Sequence, residues 1–175
     1  MKKLPKNLYH FTSPVQMEFI REDGYINVTN SNLKVDDATL RIEPMYRNGE
    51  LIGEHSVNKY SNYHPVVWLT ANADAVAGEN GLYGAKMQCR ITIPTKGKSW
   101  KFMKWTDFLE KYHAEPRQAA ALKRASGSDW KNWYVCEEPI SVSDVSLFEL
   151  LQPDGTYAPV EQAKQPQNLT IPVNR

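Results

Sequence analysis

The residues best suited to chemistry lie early in the sequence, in Leu8-Tyr9-His10-Phe11-Thr12-Ser13. Read as a strand, this stretch places Leu8, His10 and Thr12 on one face and Tyr9 and Phe11 on the other. Ser13-Pro14-Val15-Gln16 then opens a helix, with Ser13 as N-cap, Pro14 at the first helical position and Gln16 three residues on, as in a capping box. A helix N-terminus favours negative charge, so a phosphate suits it. A neutral imidazole exchanges a hydrogen bond with a ribose hydroxyl, and the Thr12 hydroxyl does the same. The competing reading is structural: a core imidazole bonded to a main-chain carbonyl, with Thr12 and Ser13 only capping.

Further along, Trp68 offers a ring for stacking a flat ligand, or plain core, and Thr70 a hydroxyl beside it. Arg90 lies on the polar face of its strand with Gln88 and Thr92, where it either grips a phosphate bidentately or is solvated. Glu137 and Glu138 are adjacent and point to opposite faces of a strand, so only one reaches a given cleft and they are no acid/base couple. His55 and His64 read as surface histidines, and Trp130 and Trp133 as packing residues around the Gly127-Ser128-Asp129 turn. Lys96, Lys98, Lys101 and Lys104 interleave with Trp100, Phe102 and Trp105. Interleaving of this kind grips a nucleic-acid strand; the plainer expectation is a strand with lysines outside and aromatics inside.

The elements that position these groups follow from pattern. Asn7 to Phe11 reads as a strand, and the helix after it buries Val15, Phe19 and Ile20 and stops at Gly24, which enters the left-handed conformation cheaply. Tyr25 to Thr29 reads as a second strand. From Asn30 to Pro65 the pattern weakens, though it admits a hairpin around Glu50 to Ile52 between Gly49 and Gly53; a long loop is usually functional or mobile, and this one is expected to be a flap beside the cleft. Pro65 to Thr70 is a buried strand. Asn72 to Ala77 suggests a helical turn, and Gly78, Gly81 and Gly84 a loop. Lys86 to Pro94 is a strand with Met87, Cys89, Ile91 and Ile93 inward. Thr106 is expected to cap a helix to His113, and Arg117 to Ala125 to form another. Trp133 to Cys136 and Val145 to Leu151 are late strands. These connections are too short for regular βαβ crossovers, so the expected class is α+β.

The chain has 175 residues, a size that suits one domain over 1–160, followed by a polar Pro/Gln-rich tail over 161–175. Its net charge of +1 sets up no global field toward nucleic acid or an anionic membrane. Cys89 and Cys136 both sit in apolar strands without CxxC or His/Cys spacing, so free thiols and no metal site are expected. No leader-like segment and no apolar run near ~18 residues is seen, which points to the cytoplasm and away from the membrane.

Tyr9-His10-Phe11-Thr12, the capped helix, a Gly-aromatic-Ile strand and Val67-Trp68-Leu69-Thr70 together resemble the ADP-ribosyltransferase superfamily of toxin-like, poly-ADP-ribose-polymerase-like and DarT-like enzymes and the related RNA 2′-phosphotransferases. The chain is also similar to bacterial and phage proteins with YHFT, VVWLT, a Trp-rich middle and WYV-x-x-x-PI in that order. The resemblance spans about two-fifths of the chain, and its motifs are short. It implies split antiparallel sheets with flanking helices, NAD as substrate, and a protein or nucleic-acid acceptor. His10 would bind the adenosine ribose. Thr12, Trp68 and Thr70 would line the nucleotide site, with Trp68 and Thr70 at nicotinamide; Tyr9 and Arg90, read from the residues themselves, are further nucleotide-binding candidates. The carboxylate that polarises the ribose 2′-hydroxyl falls near Asn132 or Trp133 in the family's register, so either Glu138 supplies it from the other end of the strand or it is absent. The first reading makes His10 and Glu138 catalytic; the second makes the chain a binder of nucleotide or nucleic acid on the same fold.

Overall fold

The computed structural model describes residues 3–34, 42–56, 63–75 and 84–160. Its class is α+β, with three α-helices and mostly antiparallel sheet among the described residues. The largest sheet contains β1 (Asn7–Thr12), β3 (Thr29–Lys34), β6 (Tyr63–Thr70), β7 (Cys89–Pro94), β8 (Met103–Lys104), β9 (Trp133–Cys136), β11 (Leu147–Leu151) and β12 (Tyr157–Pro159). Its order is β12-β11-β7-β1-β6-β9-β8, with β3 also paired to β6. Two smaller pairs join β2 (Tyr25–Ile26) to β10 (Ile140–Ser141), and β4 (Ile42–Arg47) to β5 (Glu50–Ser56).

The helix α1 (Pro14–Asp23) starts as its sequence dictates. Ser13 is extended and its hydroxyl accepts the Gln16 N–H at 3.3 Å, while Gly24, at φ 80°, ends the helix by donating to the Ile20 carbonyl at 3.0 Å. Its buried face differs from expectation. Met17 and Ile20 are inside, whereas Val15 and Phe19, one turn apart, are 64% and 53% exposed. An (i, i+3) pair meets the sheet, and the (i, i+4) pair lies on the outer side.

The expected long flap holds strands: β3, β4, β5 and the start of β6 all fall in it. The β4–β5 hairpin turns at Asn48-Gly49, with φ 51° and 73°. Two successive left-handed residues make the primed turn that matches the twist of paired strands. The helix α2 (Trp105–Lys111) begins one residue before Thr106 and has no side-chain cap, and α3 (Pro116–Ala125) follows it. Of the lysine/aromatic stretch only β8 is strand. A 3₁₀ turn over Ser99–Lys101 breaks the alternation, so Phe102 and Trp105 are buried three residues apart and Trp100 is left outside. Val145 and Ser146 precede β11, and Lys86 lies in the 3₁₀ turn Gly84–Met87 before β7. The expected helical turn over 72–77, Gly78, Gly81 and the tail over 161–175 lie wholly or partly outside the described residues.

The sheet has a core on each face. Leu8, Cys89, Ile91, Ile93, Val67, Leu69, Tyr134 and Cys136 pack with Met17 and Ile20 of α1 and with Ile26 and Ile140 on one side. Val66 and Val135 pack with Trp105 and Phe108 of α2 on the other, bordered by Trp68, Trp130 and Trp133. Each fully buried aliphatic or aromatic side chain contributes ~1.5–3 kcal/mol by leaving water, and these layers fix β1 and β6 in the middle. Both cysteines are free and buried. Among the described residues no helix is long and apolar enough to cross a membrane, and no group of His, Cys, Asp or Glu is arranged to hold a metal ion.

Candidate functional site

The strand β6 changes partner along one edge. It pairs with β1 at Tyr9–Thr70, and with β3 at Thr29–Val66 and Asn30–Pro65. Between these contacts the Trp68 carbonyl meets no strand, and His10 takes its place: Nδ1 donates to Trp68 O at 3.0 Å. A ladder hydrogen bond is thus replaced by a side-chain one, which satisfies a carbonyl that would otherwise be costly to leave unpaired. This fixes the tautomer. With the proton on Nδ1, Nε2 is an acceptor, and it has no partner among the described residues. Burial lowers the imidazole pKa below its ordinary value; the bond to Trp68 opposes this and the charge of Lys86 adds to it. The ring is therefore neutral at pH 7.

Register separates His10 from two residues expected beside it. His10 pairs with Ile91 and shares the α1 face of the sheet with Leu8. Thr70 pairs with Tyr9 and Trp68 with Val135, so both side chains point through the opposite face. The Trp68 indole lies edge-on to Trp133 at 5.5 Å and 6.4 Å from Trp105. Its partly buried ring packs against that core, and only its carbonyl meets His10. Thr70 is 6% exposed, and its hydroxyl accepts the Asn72 N–H at 3.0 Å in a local turn. Thr12 stays on the His10 face but is buried.

Arg90 is neither a solvated cation nor an open anion clamp. Its Nε and Nη2 bind both oxygens of Glu149, at 2.8 and 3.0 Å, and Nη1 donates to the Ala73 carbonyl at 2.8 Å. The guanidinium lies 4.3 Å from the centre of the Tyr157 ring and 5.8 Å from that of Tyr9. Its hydrogen bond to Glu149 raises its pKa further. Arg90 and Tyr9 therefore form a closed ion-pair and aromatic cluster on the face opposite His10. Glu149, at 5% exposure, is the residue sequence reasoning missed. The signal is there: a lone carboxylate in Leu147-Phe148-Glu149-Leu150-Leu151 needs a buried partner.

The two adjacent glutamates divide sharply. Glu137 is bound by His64 Nε2 at 2.9 Å, by Lys111 Nζ at 2.7 Å and by the Tyr112 hydroxyl. Burial alone would raise this carboxyl, but these donors outweigh it and bring it from 4.5 down to about 2. His64, expected at the surface, stacks on Tyr112 at 4.3 Å. Glu138 is exposed; its carbonyl accepts from Cys136 Sγ at 3.2 Å. Tyr46 of the β4–β5 hairpin lies close to it: burial first, then the nearby Glu138 and Cys136, raise the Tyr46 phenol. The hairpin tip at Gly49 sits against the Tyr25 ring. Tyr46 and Glu138 are thus neighbours at the end of β9, while His10 keeps Nε2 unpartnered among the described residues on β1.

No family model matches the chain, and no curated protein or solved structure matches it either.

Proposed function

We propose that the chain is an ADP-ribosyltransferase that takes NAD as substrate and transfers ADP-ribose to a protein or nucleic-acid acceptor. One observation carries this reading: the bond to the Trp68 carbonyl, which the structural reading of His10 shares, uses only Nδ1, and the neutral, part-buried ring keeps Nε2 for a hydroxyl donor. That is the form of imidazole suited to a ribose hydroxyl, next to the N-terminus of α1.

The fit to NAD is partial. His10 and Glu138 remain eligible, whereas Trp68, Thr70 and Arg90 are committed elsewhere, and the aromatic group near Glu138 is Tyr46. In the reaction the bond between the ribose anomeric carbon and the nicotinamide nitrogen breaks, its electron pair leaves with nicotinamide, and the acceptor's nucleophile bonds to the anomeric carbon. Positive charge grows on the ribose before the nucleophile arrives, and a carboxylate stabilises it electrostatically. Glu138 holds that role here.

The test is nicotinamide release from NAD, followed with labelled NAD against a cell extract as acceptor source. Wild-type protein should release nicotinamide and label a target. Glu138→Gln should slow release by ~10²-fold or more, and His10→Ala should weaken NAD binding. Absence of release and labelling, with no NAD affinity by calorimetry, refutes the reading. A second reading, a nucleotide binder without turnover, is favoured by the register in which the resemblance places the carboxylate. Asn132 there donates to Asp129 at 3.1 Å and Trp133 packs on Trp68. Binding of ADP-ribose or NAD without consumption would select it.

A further inference from the structure

The lysine/aromatic alternation predicts buried aromatics, and Trp100 does the opposite. It is 72% exposed, more than any other large hydrophobic residue among the described residues, and it sits in a 3₁₀ turn (Ser99–Lys101) at an end of the main sheet. Lys101 Nζ lies 5.3 Å from the centre of the Trp100 ring. The turn is pinned from two sides: Lys98 N–H donates to Thr95 O at 3.1 Å and Lys101 N–H to Lys98 O at 3.0 Å. Thr95 is in turn bonded to the start of β1, with its N–H donating to the Lys6 carbonyl at 3.1 Å. Lys6, Lys96 and Lys98 therefore share one end of the sheet with the indole, and Lys101 lies against it. Asp144 pairs with Lys98 and, at 3.6 Å, with Lys101. Lys6 and Lys96 are exposed and have no ion-pair partner among the described residues.

We propose that this edge binds single-stranded nucleic acid, with a base stacked on Trp100 and the backbone phosphates running past Lys6 and Lys96. Charge complementarity and the flat exposed ring choose this partner. Every base has a π-face for an indole, and lysines neutralise phosphates without demanding a sequence. An apolar protein partner would be served poorly by a ring with an ammonium group against it and exposed lysines at the same end of the sheet. A duplex hides its base faces and leaves only the phosphate contacts. The proposal is independent of NAD chemistry, because it uses neither His10 nor Glu138 and the assay contains no NAD.

The test is fluorescence anisotropy of labelled 20-mer oligothymidylate and oligouridylate, with the whole chain, over a range of salt. Wild-type protein should bind a single strand with an affinity that falls as salt rises. Trp100→Ala, a surface change that leaves the core intact, should weaken binding by ~10-fold or more, the worth of one base stack. Lys6→Glu with Lys96→Glu should flatten the salt dependence. The same titration against a duplex of equal length and against phosphatidylserine vesicles completes the set. Failure to bind either oligonucleotide overturns the proposal. So does binding that ignores Trp100→Ala, equal affinity for the duplex, or a Trp100-dependent affinity for the vesicles alone.

Discussion

Replacing Glu137 with Gln tests whether a charge, rather than mere packing, ties α2 to the sheet. In the native protein its carboxylate joins His64 of β6, Lys111 at the end of α2 and Tyr112 just beyond it. The carboxyl falls from 4.5 to about 2 on folding. Each tenfold change in proton affinity is ~1.4 kcal/mol, so the difference amounts to ~3 kcal/mol of stability. The Glu137 side chain is 24% exposed, and screening reduces this to ~2 kcal/mol. The sign follows from the lowered native pKa. The contribution is complete above pH 4.5 and disappears as pH falls towards 2. Against a typical total of ~5–15 kcal/mol this is a substantial share. Urea unfolding followed by tryptophan fluorescence should show Glu137→Gln less stable than wild type by ~2 kcal/mol at pH 7. Between pH 5 and pH 2.5 the two stabilities should converge, because wild type loses on acidification what the variant never had. Parallel pH profiles for the two proteins, separated by a constant gap, would refute an electrostatic origin.

Three further outcomes are expected. Glu149→Gln should cost ~3–5 kcal/mol in the same unfolding assay, because it leaves Arg90 buried with half its clamp, and Arg90→Met with Glu149→Leu together should recover most of the loss; a single-variant cost under ~1 kcal/mol would show the pair to be dispensable. Gly49→Ala drives a Cβ into the Tyr25 ring at a φ of 73°, so hydrogen exchange should quicken in β4 and β5 while the main sheet stays protected; unchanged exchange in the hairpin would contradict the contact. Burial, with Glu18 adding to it, pushes the Cys89 thiol up to about 11, so iodoacetamide at pH 8 should leave native protein unmodified and alkylate Cys89 and Cys136 only in urea. Rapid native alkylation would contradict their burial.

Local signals in the sequence carry the elements well where one residue decides the geometry. Ser13, Pro14 and Gly24 bound α1, and the apolar run Trp133–Cys136 is a strand by pattern and by structure alike. The face of α1 is misread because Val15 and Phe19 are apolar by composition yet lie outside, and periodicity over ten residues cannot rank two adjacent stripes. The strands over 29–56 are hidden by Asn- and Asp-rich turns and by a polar β3, whose partner β6 lies about thirty residues on. The site is legible in part. His10 and its face follow from alternation. That Trp68 offers His10 its carbonyl and withholds its indole depends on register between strands fifty-eight positions apart, and no local pattern encodes it.

The earliest strand, β1, ends up in the middle of the main sheet, flanked by β6 and β7. During synthesis it leaves the ribosome well before either neighbour, and has none until residues 63–70 and 89–94 have followed it out. Until then Leu8 and Phe11 have no sheet to sit in, and both edges of the segment are free to pair with the wrong chain. The sheet therefore closes late, around the segment that was waiting longest. Deleting Asn7–Thr12 would split it at its centre, a far graver injury than trimming a flank.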